Sequence, residues 1–154
     1  MVDTDDVALW CTLSRLIADY WAEVDENGGR EAAEFYLRDA LYVTGNNRFE
    51  GRDKIAAFYE RRRHGTVMTR HVLSNLRVVG GRENDARIMG LMTLFRADGK
   101  SPFQGARAPS MIADFEVRCV LGDDGRWRFQ SHVLRPFIVS SDMPASIMIN
   151  PRSL

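Results

Sequence analysis

The stretch MTRHVLSNLRVV, from Met68 to Val79, has the alternating pattern of a long β-strand and is rich in apolar and β-branched residues. Strict alternation would divide its side chains between two faces, one of which would carry His71, Leu73, Asn75, Arg77 and Val79. His71 and Asn75 would then point the same way, as polar groups on a partly apolar face. We therefore expect the rest of the chain to be arranged around His71.

Helices are predicted before this strand. Asp3 or Thr4 can cap a first helix, whose apolar residues recur every three or four positions until Gly28-Gly29 ends it. The apolar face would consist of Val7, Trp10, Leu13, Ile17, Tyr20 (or Trp21) and Val24. A short second helix is expected from Arg30 to Arg38.

Strand patterns dominate the rest of the chain. The expected strands are Ala40 to Thr44, Arg48 to Glu50, Thr69 to Val79, Ala86 to Arg96, Met111 to Leu121 and Arg126 to Val139. A third helix begins at Gly51-Arg52-Asp53, and a hairpin turn joins the last two strands. Helices followed by long meandering strands predict the α+β class. We expect a cone-shaped α+β barrel, in which a curved, mostly antiparallel sheet wraps around the long N-terminal helix and leaves a pocket for a small ligand.

The composition fits a single domain. The chain has 154 residues, 45% of them hydrophobic, and we expect one domain over residues 1–154, with a core at about 5–140 and a C-terminal tail at 141–154. Lys plus Arg and Asp plus Glu balance at 21 each, which argues against a nucleic-acid partner or an anionic membrane surface. The basic run Arg61 to Arg63 falls at a predicted helix end, where the helix dipole accounts for it.

The remaining compositional features predict a reducing location. Cys11 and Cys119 belong to no metal-spaced or CxxC motif, and both are expected to be buried as small hydrophobic residues. The acidic N-terminal residues lack the pattern of a signal peptide, and no apolar run reaches membrane-spanning length. The cytoplasm is the expected location.

Asp25 and His71 are the candidates for catalysis. Asp25 lies where the first helix ends, close to its apolar side, and a buried carboxylate needs a partner. An aspartate bonded to one ring nitrogen of His71 would fix the tautomer and leave the other nitrogen as a general base. A solvated acid and a structural histidine would explain the same two residues without a function. No serine or cysteine is placed to act as a nucleophile, and the three histidines lack the spacing of a zinc site.

A pocket between helix and sheet would have mostly apolar walls. The residues expected to bind the substrate are Tyr20, Trp21, Tyr42, Tyr59, Met89, Leu91, Phe129 and His132. For His132 a structural and an accessory role remain open, because the sequence does not say which sheet face lines the pocket. Such walls suit a small hydrophobic ligand that is cyclic or aromatic.

Four motifs in order along the chain resemble one family. They are Asp25 to Gly28, Phe49 to Ile55, Thr69 to Val78 and Asp124 to Phe129. Together they are similar to the SnoaL-like branch of the nuclear transport factor 2-like superfamily, over most of the chain. Within it, the chain resembles scytalone dehydratase and hexachlorocyclohexane dehydrochlorinase.

The resemblance implies a function. Both of those enzymes are lyases with an Asp–His dyad, which would correspond here to Asp25 and His71. It also implies no metal or organic cofactor, and often a trimer. Apolar residues on both faces of the predicted strand from Ile88 to Leu94 independently predict a homo-oligomer, a dimer or trimer. The dehydratase has a further histidine on a central strand that Ile88 to Met92 lacks, which puts the leaving group in doubt. Related members are isomerases, polyketide cyclases, ligand-binding or scaffold proteins, and the largely structural β subunits of ring-hydroxylating dioxygenases, so these alternatives stay open.

Overall fold

A six-stranded curled sheet packed on a long helix forms the body of the protein in the computed structural model, which describes residues 4–82 and 84–144. The elements are α1 (Thr4–Glu26), a 3-10 turn (Ala32–Phe35), β1 (Tyr36–Thr44), β2 (Asn47–Glu50), α2 (Arg52–Arg63), β3 (Val67–Arg82), β4 (Asp85–Asp98), β5 (Met111–Leu121) and β6 (Trp127–Val139). The strand order is β2-β1-β6-β5-β4-β3, and all neighbours are antiparallel except β1 and β6. The predicted α+β class with a mostly antiparallel sheet is confirmed.

The apolar stripe of α1 forms one side of the core. The side chains of Leu13, Ile17, Tyr20, Trp21 and Val24 are all buried, so both alternatives at positions 20 and 21 belong to it. The predicted cap Asp3 lies outside the described residues.

The first turns of α1 differ from the expectation, because Val7 and Trp10 are 47% and 41% exposed. The indole N–H of Trp10 donates to the carbonyl of Leu76 on β3, the edge strand. This end of the helix therefore lies beside the edge of the sheet rather than over its centre.

The second helix is shorter than predicted, and the first strand is longer. Only Ala32–Phe35 is helical, as a 3-10 turn, and β1 begins at Tyr36 instead of Ala40. Tyr36 pairs with Phe129 of β6, and the Arg52 guanidinium donates two hydrogen bonds to the Tyr36 carbonyl. These tertiary bonds draw into the sheet a segment whose local pattern favours a helix.

A β-bulge in β3 overturns the predicted alternation. Asn75 has a φ of 54°, and the register with β4 shifts between Ser74 and Arg77. Asparagine tolerates this left-handed conformation better than most residues. Because of the extra residue, Leu73 is followed on the core side by Leu76 and Val78, whereas Asn75 is exposed. The prediction that His71 and Asn75 share a face is therefore wrong.

The two cysteines differ in environment. Cys119 is buried as predicted, but Cys11 is exposed. Cys11 precedes the buried Leu13 by two residues, a rotation of about 200° around a helix, so it lies on the opposite side of α1. Within residues 4–82 and 84–144, no helix combines the length and apolar character needed to cross a bilayer.

Candidate active site

The end of α1 positions the first candidate residue. The amide N–H of Gly29 donates to the carbonyl of Glu23, and Gly28 and Gly29 both adopt positive φ, which closes the helix. Asp25 lies in this last turn and reaches across to β3, whereas Glu26 is exposed. Glu23 accepts hydrogen bonds from Asn27 and so stabilises the helix end.

Asp25 and His71 form a direct contact. The ring nitrogen Nδ1 of His71 lies 2.7 Å from Oδ1 of Asp25, and the backbone N–H of His71 donates to Oδ2 at 2.7 Å. Thr69, on the same face of β3 two residues earlier, donates its hydroxyl to Oδ1 at 2.7 Å. Both dyad side chains are only 6% exposed. Three hydrogen bonds therefore hold the carboxylate in one orientation.

The electrostatic environment sets the protonation states of the pair. Burial opposes ionisation of Asp25, but the hydrogen bonds from His71 and Thr69 lower its pKa below the ordinary value. Burial lowers the pKa of His71, helped by the nearby Arg62 charge and opposed by Asp25. Near neutral pH the carboxylate is therefore ionised and the imidazole neutral. Because a carboxylate only accepts hydrogen bonds, the His71 proton must be on Nδ1, which leaves a lone pair on Nε2.

A cavity of about 450 Å³ opens beside the dyad. Its aromatic wall consists of Trp21, Tyr42, Phe49, Phe58 and Tyr59, and its aliphatic wall of Met92, Leu94, Met111 and Leu134. The His71 ring lies on the cavity wall, stacked on Trp21 with ring centroids 3.9 Å apart and planes at 18°. The stacking and the Asp25 contact together fix the imidazole plane.

The predicted substrate-binding residues fall into two groups. Trp21, Tyr42 and Tyr59 line the cavity. Met89, Leu91, Tyr20, Phe129 and His132 do not line it, so their predicted contact with a ligand is corrected.

The corrections have two physical causes. Alternation along β4 turns Met92 and Leu94 toward the cavity, and therefore turns Met89 and Leu91 to the other face of the sheet. Tyr20, Phe129 and His132 pack against one another in the core, behind the cavity wall.

A buried polar chain lies behind that wall. The hydroxyls of Tyr59 and Tyr20 are hydrogen-bonded, Tyr36 donates to Tyr20 at 2.9 Å, and the Tyr36 hydroxyl lies 2.9 Å from Nδ1 of His132. Burial raises the pKa of each phenol, that of Tyr42 to about 12, and lowers the pKa of His132 to about 3. These groups stay neutral in the working pH range, and His132 belongs to the core.

Sequence reasoning missed two polar residues next to the dyad. Arg62 donates from Nη2 to the Thr69 hydroxyl at 2.7 Å, so the chain Arg62–Thr69–Asp25–His71 is continuous. The available signal for Thr69 was its spacing of two from His71, which puts both on one strand face. Nothing local distinguished Arg62 from its neighbours in the basic run. In the described part of the chain, no three His, Cys, Asp or Glu side chains are grouped so that they could hold a metal ion.

A family model described as a SnoaL-like domain matches residues 12–133. The chain belongs to the SnoaL-like family. This confirms the resemblance to the nuclear transport factor 2-like superfamily that the four sequence motifs indicated. No curated protein sequence matches the chain significantly.

Solved structures share the fold of this SnoaL-like protein. A candidate scytalone dehydratase of Novosphingobium aromaticivorans is 21% identical with a TM-score of 0.80, and the match covers 99% of each chain. A candidate aromatic ring hydroxylase of the same organism is 13% identical, with a TM-score of 0.71 over 90% of this chain and 93% of that one. ActVI-ORFA of Streptomyces coelicolor is 12% identical, with a TM-score of 0.72 over 84% and 98%. At these identities the similarity concerns the fold.

Proposed function

We propose that the protein is a lyase that eliminates water or a halide from a small cyclic or aromatic substrate, with His71 as the general base. The observation that carries the proposal is the position of the His71 ring, which lies on the cavity wall with Nδ1 on the ionised Asp25. The lyases that the chain resembles work without a cofactor, and we extend that expectation to this protein.

The proposed step is an elimination across two neighbouring carbons. Nε2 of His71 takes a proton from one carbon, and the C–H bonding electrons become the new carbon–carbon π bond. The leaving group departs from the neighbouring carbon with its own bonding pair. A halide leaves as the anion, and the imidazolium then releases its proton to solvent; a hydroxyl group takes the proton from the imidazolium and leaves as water. Asp25 holds the ring in the productive tautomer and stabilises the imidazolium that forms.

The surroundings of His71 support this role. Its pKa is lowered, chiefly by burial, so the ring is available as a neutral base near pH 7. The aromatic and aliphatic wall lowers the local dielectric constant, which strengthens the electrostatic effect of Asp25 on the imidazolium. The neutral phenol of Tyr42 lies on the same cavity and is a candidate to donate a hydrogen bond to a substrate oxygen.

A screen of cyclic alcohols, ketones and halides tests the proposal. Formation of the double bond is followed by ultraviolet absorbance, and product mass establishes whether water or hydrogen halide has been lost. We expect His71→Ala to abolish turnover while the protein remains folded. The matched control is His64→Ala, because the side chain of His64 is 77% exposed, on the C-terminal end of α2.

Three outcomes would contradict the proposal. If the His71→Ala variant still turned over substrate, His71 would not be the general base. A product of unchanged mass would indicate an isomerase that uses the same base. Loss of folded protein in step with any loss of activity would favour a structural subunit, for which Asp25 and His71 only stabilise the fold.

A further inference from the structure

The three arginines at the end of α2, Arg61 to Arg63, have different surroundings. Arg63 forms an ion pair with Glu60 and donates to the carbonyl of Gly29. Arg61 and Arg62 line the cavity instead. Arg62 is half-buried and uses Nη2 on Thr69, which leaves most of its five N–H donors available. A helix-dipole effect does not account for a guanidinium that is turned into a cavity.

A third arginine comes to the same place from the sheet. Arg96 of β4 is the direct cross-strand partner of Thr69, so their side chains share the concave face. Arg96 lines the cavity, where its Nη1 contacts the Met143 sulfur at 3.0 Å and the Asp142 carbonyl at 3.4 Å. Arg62 and Arg96 therefore both line the cavity at the level of Thr69, one layer along β3 from His71.

The charges at this end of the cavity are not balanced. Among residues 4–82 and 84–144, no carboxylate lies within 4.0 Å of the guanidinium of Arg61, Arg62 or Arg96, and no Asp or Glu lines the cavity. Asp25 is linked to Arg62 only through the Thr69 hydroxyl, and its oxygens are occupied by three hydrogen bonds. The carboxylate of Asp142, unlike its backbone carbonyl, interacts with Arg96 only at longer range, and the residue is exposed. Three arginines thus outnumber the nearby acids in a partly apolar cavity.

We propose that Arg62 and Arg96, with Arg61 at the mouth, form a carboxylate-binding subsite, so that the ligand of this cavity is a small cyclic or aromatic carboxylic acid. Planar guanidinium groups bind carboxylates through paired N–H donors, and partial burial strengthens such bonds. That the acid is a substrate rests on the proposed lyase function, whereas its binding does not.

The position of the subsite also orients the ligand. Thr69 and His71 are two residues apart on β3, which separates their layers by about 7 Å. A carboxylate held between Arg62 and Arg96 would leave the attached ring against Trp21 and the His71 imidazole. The ring carbons next to the carboxylate would then lie within reach of Nε2, and the positive charge of Arg62 would stabilise negative charge that develops on the ligand.

Calorimetric titration with 2-naphthoate and its neutral isostere 2-naphthamide tests the subsite without any turnover. We expect the wild type to bind 2-naphthoate about 10- to 100-fold more tightly than the amide, the range for charge-assisted hydrogen bonds. Arg62→Gln and Arg96→Gln should each remove most of this preference and leave amide binding within about 2-fold. Arg96→Gln is the cleaner variant, because within residues 4–82 and 84–144 the Arg96 side chain contacts Asp142 and Met143 and is joined to Thr69 only through strand pairing.

Arg63→Gln is the matched control. It removes the same charge from the same helix turn, but Arg63 is bonded to Glu60 and Gly29, so the carboxylate preference should persist. Equal affinity for the acid and the amide, binding of neither, or a preference that survives in both cavity variants would overturn the inference.

Titration of His71→Ala separates the inference from the proposed function. That variant keeps all three arginines and lacks the base, so it should retain the carboxylate preference. If the protein binds carboxylates but turns over none of the candidate acids, the lyase proposal is contradicted and the subsite is not. If the protein turns over neutral substrates and shows no preference for carboxylates, the subsite is contradicted and the lyase proposal is not.

Discussion

Replacing Asp25 with asparagine tests whether the carboxylate determines which ring nitrogen of His71 carries the proton. The carboxylate accepts from three donors, namely the Thr69 hydroxyl and His71 Nδ1–H at Oδ1, and the His71 backbone N–H at Oδ2. An asparagine has one carbonyl oxygen and one NH₂ group, so one of these two positions must become a donor. The backbone N–H cannot change direction. The asparagine oxygen must therefore take the Oδ2 position, and its NH₂ must face Thr69 and the imidazole.

This orientation reverses the His71 tautomer. Facing an NH₂ group, Nδ1 must become the acceptor, so the proton moves to Nε2 and the base loses its lone pair toward the cavity. We expect kcat to fall about 10³- to 10⁴-fold, the order known for this substitution in a catalytic triad. The free energy of unfolding should fall by about 2 kcal/mol, the value of one charge-assisted hydrogen bond, because the backbone N–H of His71 keeps its acceptor and the contacts with Thr69 and Nδ1 re-form with reversed polarity.

Two measurements check this result. Nitrogen-15 chemical shifts of the His71 ring report which nitrogen carries the proton, without any substrate, and urea unfolding gives the stability change. The matched control is Glu26→Gln, since Glu26 is the neighbouring acid and is exposed. A variant that keeps the proton on Nδ1, or one that retains full activity, would refute the reasoning. A loss of several kcal/mol with activity proportional to folded protein would favour a structural role for the pair.

Three further predictions follow from burial and charge. The pH profile of kcat/KM should lose activity in acid only below pH 6.5, the ordinary imidazole pKa, because the lowered pKa of His71 keeps the base deprotonated at lower pH. A midpoint of this acid limb above pH 6.5 would contradict the burial argument. His132 stays neutral down to a pKa of about 3 in the folded protein but takes up a proton below about 6.5 when unfolded, so acid destabilises the fold. Between pH 7 and pH 5, the free energy of unfolding of His132→Gln should therefore fall by about 2 kcal/mol less than that of the wild type, as measured by chemical unfolding. An equal fall in both proteins would contradict the role assigned to His132. Phe137 and Ile138 are 77% and 50% exposed on β6, so we expect a dimer or trimer by light scattering, shifted toward monomer by Phe137→Ser; a monomeric wild type would contradict this.

The local patterns of the sequence determined much of the architecture. Repeats of three and four residues place Leu13, Ile17, Tyr20 and Val24 on the buried side of α1, and alternation locates the long strands to within a few residues. Glycines 28 and 29 end α1 just after Asp25, because they adopt positive φ at little cost. These features depend on near neighbours in the chain, so their physical causes are visible in the sequence.

The partnership of Asp25 and His71 was a hypothesis until the fold brought the two residues together. They are separated by 46 positions, and only the packing of α1 on β3 places their side chains 2.7 Å apart. The residues themselves made Asp25 and His71 candidates, and the resemblance to a family added support for the pair. Nothing in the local sequence requires an acid at a helix end and a histidine in a later strand to meet.

Tertiary structure alone decided which residues surround the dyad. The bulge at Asn75 reverses the faces of β3 beyond Ser74, and one extra residue is enough to do so because the side-chain period of a strand is two. Pairing with β6 draws Tyr36 out of a predicted helix. The basic run divides, with Arg63 on an ion pair and Arg62 turned toward Thr69, because the direction of a long side chain depends on distant partners rather than on its neighbours in sequence. For the same reason the walls of the cavity, and hence the ligand it accepts, could not be derived from local pattern.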